Sequence, residues 1–235
     1  MPKRSPLHRP MQTSSRTNRS SIRVAAGMLA CLLMLAGLPL PAAEGPVGIT
    51  ESLPWVEVKH KDKTVRIERI RSNTNIIDLE YAITSRPCPP YCIQPMVLAT
   101  GVETIGELEM LDYLKRQSSG KGSILVIDSR DPEWLGKGMI PGAISIPWAE
   151  LHTQHADPAA IADILQFQFG AIRHGPLWNF QYAKTLVFYC NGVWCGQSPT
   201  NIRALLGMGY PAHKLKWYRD GMQGWLLLGL TTVQP

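Results

Sequence analysis

The pattern of apolar and polar positions changes near residue 102. Before it, residues 56–58 and 65–67 alternate apolar with polar side chains, as half-buried strands do. After it, the pattern predicts strands over 123–127, 143–146, 185–189 and 216–218, and helices over 105–114, 159–169, 198–208 and 222–228. This order predicts an α/β fold with a central parallel sheet and helices on both faces, preceded by a small β-containing N-terminal extension.

Capping residues predict where two of these helices begin. Thr104 is the expected N-cap of the first helix, with Glu107 three residues later as its capping-box partner. Ser198 and Pro199 are expected to open the third helix as N-cap and first helical residue, where the missing N–H of proline costs nothing. The third helix would then start one short loop after the strand at 185–189.

Residues 1–43 have the composition of an export signal. They hold six of the 24 Lys and Arg and no Asp or Glu, and their cationic part precedes an apolar run over 24–38. A cationic segment, a short apolar segment and small residues at the exit are typical of a secretory signal peptide. We therefore expect a periplasmic or secreted protein, with a membrane anchor at 24–38 as the alternative if the leader is retained.

Removing the leader changes both the charge and the cysteine count. Residues 44–235 keep 18 Lys and Arg against 18 Asp and Glu, so the net charge of +6 belongs to the leader and nothing favours nucleic acid. Four cysteines remain in two local pairs, Cys88 with Cys92 and Cys190 with Cys195. Paired cysteines suit an oxidising compartment.

The candidate chemistry centres on Cys190. This cysteine follows the continuous apolar strand at 185–189, and α/β folds bind ligands at the carboxyl ends of such strands. The loop after it leads into a helix start, so its backbone N–H groups are expected to converge on a thiolate or persulfide and to activate the sulfur. The candidate active-site loop consists of Cys190, Asn191, Gly192, Val193, Trp194, Cys195, Gly196, Gln197 and Ser198.

Three separated segments resemble the rhodanese family, over roughly residues 102–233. Residues 128–130 (Asp-Ser-Arg) resemble the family's first-strand Asp-x-Arg. Residues 138–143 resemble its Gly-His-Ile-Pro-Gly-Ala turn, with Met139 in place of the histidine. The cysteine loop and the terminal element at 220–225 complete the match. The resemblance assigns a rhodanese-like domain to 101–235, after a signal peptide at 1–43 and an extension at 44–100.

The resemblance implies a sulfurtransferase in which Cys190 is the sulfur carrier. The cysteine would attack a donor sulfur, become a persulfide, and pass the sulfur to a thiol or another nucleophilic acceptor. We interpret Asp128 and Arg130 as structural, bridging the first strand of the domain to neighbouring turns, together with Pro141 and Gly142 of the second motif. No cofactor and no metal is expected.

The loop departs from the family pattern in length and charge. It runs from Cys190 to Gln197 without an Arg or Lys, whereas the family's shorter loop directs cationic side chains at the substrate. A dianion such as thiosulfate would lose charge-assisted hydrogen bonds here, so the sulfur donor stays open. The first arginine after Cys190 is Arg203, inside the predicted helix, which argues against the Cys-x5-Arg chemistry of related phosphatases.

Cys195 leaves three possibilities. It could be a resolving thiol that attacks a Cys190 persulfide, releases reduced sulfur and leaves a disulfide. It could form a stable disulfide with Cys190 that pins the loop, or it could simply be packed. Cys88 and Cys92 likewise could form a local disulfide, act as a redox partner for Cys190, or join Cys190 and Cys195 in a four-thiolate zinc site.

Three functions therefore remain open for the chain. The first is sulfur transfer between a small sulfur donor and a thiol or protein acceptor. The second is a non-catalytic rhodanese-like module that binds a partner, and the third is a thiol–disulfide oxidoreductase that uses Cys190 and Cys195. Sulfur transfer requires that the sulfur of Cys190 is reachable and that the loop amides face it.

Overall fold

The computed structural model describes residues 47–235, and a sheet of five parallel strands lies at its centre. The strands in chain order are β1 (Val56–His60), β2 (Lys63–Ile67), β3 (Glu103–Ile105), β4 (Ile124–Asp128), β5 (Ile144–Ser145), β6 (Ile172–His174), β7 (Leu177–Asn179), β8 (Thr185–Tyr189) and β9 (Leu215–Tyr218). The helices are α1 (Leu79–Ala82), α2 (Glu107–Ser118), α3 (Pro158–Asp163), α4 (Gln197–Gly207) and α5 (Gly221–Leu227). A π-helical turn, Ile164–Gln168, continues α3.

The strand order in the sheet is β3-β9-β8-β4-β5, so β8 lies in the middle. It pairs in parallel with β4 on one side and with β9 on the other. Tyr189 pairs with both Asp128 and Tyr218, which brings the carboxyl ends of the three strands to one edge of the sheet. The residue after β8 is Cys190.

The two faces of the sheet are covered by different helices. Along β8, Val187 and Tyr189 face one core while Leu186 and Phe188 face the other, because alternate strand residues point to opposite sides. The first core includes buried residues of α2 and α5, and the second includes buried residues of α3 and α4. The predicted fold class, a central parallel sheet with helices on both faces, is therefore confirmed.

The N-terminal extension packs on the first of these cores. Its strands β1 and β2 form an antiparallel hairpin, and its buried residues Val56, Val58, Ile67 and Tyr81 share a cluster with α2 and α5. The backbone N–H of Lys59 also donates to the Ser118 hydroxyl at 2.8 Å. The hairpin thus extends the hydrophobic core that supports the central sheet.

Both predicted helix starts were wrong by a few residues. Thr104 and Ile105 lie in β3, which pairs with β9, and α2 begins after Gly106, whose N–H donates to the Glu109 carboxylate at 3.1 Å. An edge strand of three residues is too short to show a periodicity of its own. Helix α4 begins at Gln197 with Gly196 as its N-cap, so the Ser198 side chain is free for other contacts.

Two further regions differ from the expectation or lie beyond it. A small antiparallel hairpin, β6 with β7, follows the π-helical turn and was not predicted, because its exposed residues carry little apolar pattern. The predicted leader at 1–43 lies outside the described residues. Within residues 47–235, no helix is long and apolar enough to cross a membrane.

Candidate functional site

Cys190 lies at the carboxyl end of the central strand, where the chain turns from β8 into the candidate active-site loop. The first turn of α5 holds this loop: the N–H of Met222 donates to the Cys190 carbonyl, and that of Gln223 to the Asn191 carbonyl, both at 2.9 Å. Gly221 makes this close approach possible. It has a φ of 55°, and a Cβ there would meet the backbone N of Gly192 at 2.8 Å.

The sulfur of Cys190 is joined to that of Cys195 in a disulfide. Cys190 is only 2% exposed and Cys195 only 5%. The Ser198 hydroxyl lies 3.2 Å from Cys190 Sγ, in position to donate to it. This geometry fits two of the three possible roles of Cys195, namely a resolving thiol and one half of a disulfide that fixes the loop. It does not fit a Cys195 that is merely packed.

The predicted ring of main-chain donors is not found in this disulfide-bonded loop. Within residues 47–235, no backbone N–H donates to Cys190 Sγ. One physical reason is that the loop turns back on itself: the N–H of Cys195 donates to the Gly192 carbonyl at 2.9 Å. The loop closes on itself and leaves the Ser198 hydroxyl as the donor for the sulfur.

A cavity of about 370 Å³ lies over the loop and reaches Cys195. Its lining includes four aromatic residues, Tyr91, Trp134, Trp148 and Trp194. The rings contact one another, since Trp194 lies 5.5 Å from Tyr91 and 6.4 Å from Trp134 between ring centroids. Cys195 lines the cavity, whereas Cys190 is not among the lining residues.

The charged residues that line the cavity are both acidic. Asp131 is held by two donors, the indole N–H of Trp148 at 2.9 Å and the amide of Gln197 at 2.5 Å. Glu133 is exposed on the same wall. The lining, as far as the structure describes it, contains no Lys, Arg or His. The absence of cations that was noted in the loop sequence therefore extends to the whole cavity.

The nearest stacked cation lies behind the cavity wall. The guanidinium of Arg86 lies 4.2 Å from the ring centroid of Trp194 and 5.2 Å from that of Tyr91. Its side chain is 9% exposed, and it forms an ion pair with Glu80 at 3.7 Å. Stacking of this kind fixes the two rings in place while the charge itself is partly balanced.

The segment that contains Cys88 and Cys92 supplies one wall of the site. These two cysteines form a local disulfide, which was one of the alternatives for them. Gln94, two residues after Cys92, donates its N–H to the Val193 carbonyl at 2.9 Å, and its own carbonyl accepts from the Arg219 side chain at 2.8 Å. With all four sulfurs in two disulfides, none is available as a thiolate ligand for zinc.

Asp128 and Arg130 form a buried ion pair beneath the site. Both side chains are 0% exposed, and Arg130 Nη2 lies 2.6 Å from Asp128 Oδ2. Burial alone would lower the pKa of Arg130, but the hydrogen bonds and charge of Asp128 outweigh it and raise that pKa. Tyr189 donates to the same carboxylate at 2.9 Å, and burial followed by the Asp128 charge raises the pKa of its phenol.

The same arginine links the extension to the active-site loop. Arg130 donates to the carbonyls of Gly138 at 2.8 Å and Trp134 at 3.2 Å, and to the Tyr81 hydroxyl at 2.9 Å. The Tyr81 hydroxyl donates in turn to the Asn191 side chain at 3.4 Å. Neither Asp128 nor Arg130 lines the cavity, so both position other groups.

Pro141 and Gly142 lie in the buried turn before β5. Gly142 has a φ of 89°, its N–H donates to His60 Nδ1 at 3.1 Å, and its carbonyl accepts from Gln117 at 2.6 Å. These contacts tie the turn to β1 and α2. Neither residue lines the cavity, so this motif does not contact the candidate site.

Seven residues that line the cavity were missed from the sequence, namely Pro90, Tyr91, Asp131, Glu133, Trp134, Trp148 and Thr200. The positions of two of them could have been predicted from the sequence. Asp131 comes three residues after the end of β4, and Trp148 comes three residues after the end of β5, so both follow strands whose carboxyl ends share an edge with that of β8. The positions of Tyr91 and Trp134 could not, because they depend on how the extension and a 3₁₀ helix fold back.

Residues 110–228 match the protein family described as the rhodanese-like domain. A curated relative, an HTH-type transcriptional regulator of Mycobacterium tuberculosis, is 30% identical over 119 residues. That match covers 51% of this chain and 41% of the regulator. The chain therefore spans less than half the length of that relative.

Several solved structures are similar over about half of the chain. A thiosulfate sulfurtransferase from Pseudomonas aeruginosa is 21% identical, with 57% of this chain and 21% of that chain covered and a TM-score of 0.35. A human single-domain sulfurtransferase is 22% identical, with 54% and 96% covered and a TM-score of 0.33. A Rhodopseudomonas palustris protein of unknown function, described as a possible tyrosine phosphatase, is 21% identical, with 58% and 88% covered and a TM-score of 0.38.

Proposed function

Because the chain belongs to the rhodanese-like domain family, we propose that it is a sulfurtransferase that carries sulfane sulfur as a persulfide on Cys190. The acceptor is a thiol or another nucleophile. The observation that carries this proposal is the position of Cys190, at the carboxyl end of the central strand β8 and at the head of the loop into α4. Ligands of open parallel sheets bind at this edge.

The two conditions for sulfur transfer, a reachable Cys190 sulfur and loop amides that face it, are not met in the disulfide form, in which Cys190 is buried and bonded to Cys195. The proposed cycle therefore begins from the reduced dithiol and requires both conditions of that form. The Cys190 thiolate attacks the transferable sulfur of the donor and forms a new S–S bond. The bond from that sulfur to the rest of the donor breaks, an S–S bond in thiosulfate or polysulfide and a C–S bond in mercaptopyruvate. The rest of the donor leaves as an anion, which is sulfite, a shorter polysulfide or the enolate of pyruvate. An acceptor thiolate then attacks the outer sulfur of the persulfide, and Cys190 leaves as a thiolate. The Ser198 hydroxyl, 3.2 Å from Cys190 Sγ, is placed to donate a hydrogen bond to that thiolate.

Cys195 supplies an alternative exit for the sulfur. Its thiolate attacks Cys190 Sγ, the S–S bond of the persulfide breaks, and the outer sulfur leaves as hydrosulfide. The product is the Cys190–Cys195 disulfide, and a reducing thiol returns the protein to the dithiol. Cys195 is therefore proposed as the resolving thiol.

The test is persulfide formation measured by intact mass spectrometry. The protein is reduced with dithiothreitol, desalted without air and exposed to polysulfide, thiosulfate or mercaptopyruvate. We expect Cys195→Ser to gain one sulfur atom on Cys190 and to keep it, while the wild type releases sulfide and returns to the disulfide. Cys190→Ser is the matched control and should gain no sulfur on Cys195. Absence of labelling in the reduced Cys195→Ser variant with all three donors would refute sulfur transfer and favour a partner-binding module.

The disulfide itself favours a second candidate, thiol–disulfide exchange with a protein substrate. The observation is that Cys190 and Cys195 are paired and that Cys195 lines an accessible cavity. This function predicts that the oxidised protein transfers its disulfide to a reduced, unfolded protein at a rate that requires both cysteines. The measurement compares the rate of disulfide transfer by the wild type, without sulfur donor, with the rate for Cys195→Ser.

We also propose export across a membrane, on the composition of residues 1–43. An oxidising compartment suits the local disulfide Cys88–Cys92 and the resting state proposed for Cys190 and Cys195.

A further inference from the structure

We infer that the Cys190–Cys195 disulfide is opened at Cys195, by a small thiol that enters the aromatic cavity and is cationic or uncharged rather than anionic. The inference rests on the proposed function, in which a reducing thiol returns the protein to its dithiol form. It adds two properties of that thiol: which sulfur it attacks, and what charge it carries.

The choice of sulfur follows from access. A thiolate must reach the sulfur that it attacks, and Cys195 lines the cavity of about 370 Å³ whereas Cys190 does not. Cys190 lies beneath the loop, 2% exposed, between Ser198 and the first turn of α5. In this arrangement the outer sulfur receives the attack and the inner sulfur is the leaving group.

A hydrogen-bond donor lies next to the sulfur that leaves in this reaction. In the first step the thiolate forms a new S–S bond with Cys195 Sγ, the protein disulfide breaks, and its electron pair goes to Cys190 Sγ. The Ser198 hydroxyl, 3.2 Å away, can donate to that thiolate, and the indole N–H of Trp217 donates to the Ser198 oxygen at 3.2 Å. A second molecule of the thiol attacks the sulfur of the first, which releases Cys195 as a thiolate and a small disulfide. Two thiols are oxidised and the protein disulfide is reduced.

The choice of charge follows from the cavity wall. Its charged residues are Asp131 and Glu133, and among the described residues no cation lines it. Indole and phenol faces attract cations and pack well on uncharged organic groups. The nearby Arg86 does not line the cavity, and its charge is stacked on the Trp194 ring and partly balanced by Glu80. An anionic thiol would therefore meet two carboxylates and no cation in the described lining.

The test compares two thiols of similar size, cysteamine and 2-mercaptoethanesulfonate, as reductants of the oxidised full-length protein. Opening of the Cys190–Cys195 bond is followed by alkylation and peptide mass spectrometry, which separates it from Cys88–Cys92. Rates are expressed per thiolate and divided by those of the denatured protein, which removes intrinsic reactivity. We expect cysteamine to be favoured on the order of five-fold, less so at high salt.

Two carboxylate variants connect that preference to the cavity. Glu133→Gln should reduce the preference toward one, because it removes one of the two carboxylates that line the cavity. The Glu133 side chain is exposed and has no hydrogen-bond partner among residues 47–235, so the loop should be unchanged. Glu51→Gln is the matched control, an exposed carboxylate outside the cavity, and should leave the preference unchanged. Equal normalised rates for the two thiols in the wild type would overturn the charge assignment.

The site of attack is read from the mixed disulfide. Rapid acid quenching, followed by alkylation in denaturant, should place cysteamine on Cys195 and the alkyl group on Cys190. Cysteamine found on Cys190 would overturn the assignment of Cys195. Persulfide formation is measured on protein that is already reduced. A negative result for the thiol preference or for the site of attack therefore leaves the sulfurtransferase test unaffected, and each proposal can be refuted without the other.

Discussion

Arg130→Met tests whether the buried ion pair beneath the site holds the fold together. Methionine keeps much of the volume of the arginine stem but removes the charge. Asp128 would remain 0% exposed with two donors, the Tyr189 hydroxyl at 2.9 Å and the backbone N–H of residue 130 at 3.1 Å, but without a cation. The carbonyls of Gly138 and Trp134 would also lose the guanidinium donor.

The expected loss is large for a single substitution. Removing one partner of a buried ion pair costs about 3–5 kcal/mol, because the remaining charge is left without compensation. For a unit of this size each kcal/mol lowers the melting temperature by about 2–4 °C, so Arg130→Met should melt roughly 6–20 °C below the wild type. The double variant Asp128→Asn, Arg130→Met should lose less, because no charge is then buried.

Thermal and urea unfolding, followed by circular dichroism with the disulfides oxidised, measure these differences. A single variant within about 1 kcal/mol of the wild type, or a double variant less stable than the single one, would refute the reasoning.

Two further predictions concern the turn into α5 and a histidine of the extension. Gly221→Ala should cost more than about 1 kcal/mol in urea unfolding, because alanine disfavours a φ of 55° and its Cβ would collide with the loop backbone; an unchanged midpoint contradicts this. Burial, with the charge of Lys61, lowers the pKa of His60, so protonation opposes folding and the wild type should lose stability as the pH falls below about 6.5. His60→Gln should lose less over the same range, and equal slopes would contradict the assignment.

The local pattern was enough to place the elements that carry the site. A continuous apolar run predicted β8 over 185–189, and Cys190 directly after it had to lie at the sheet edge. The segments 128–130 and 138–143 supported the same order of strands. The strand could be predicted because burial of its faces imposes an apolar pattern on a few consecutive residues, whereas the two segments were identified by their resemblance to the rhodanese family.

The tertiary structure alone decided what surrounds that cysteine. Strand β3 exists because it pairs with β9, and nothing within three residues can signal that pairing. Tyr91 and Trp134 come from segments that are distant from the loop in sequence, and only packing brings them over Cys195. The sequence predicts that the loop has free backbone N–H groups. It does not predict the direction of those groups, because that direction depends on the conformation of the whole loop. Side-chain convergence is a property of long-range packing, whereas strands and helix positions are largely a property of the local chain.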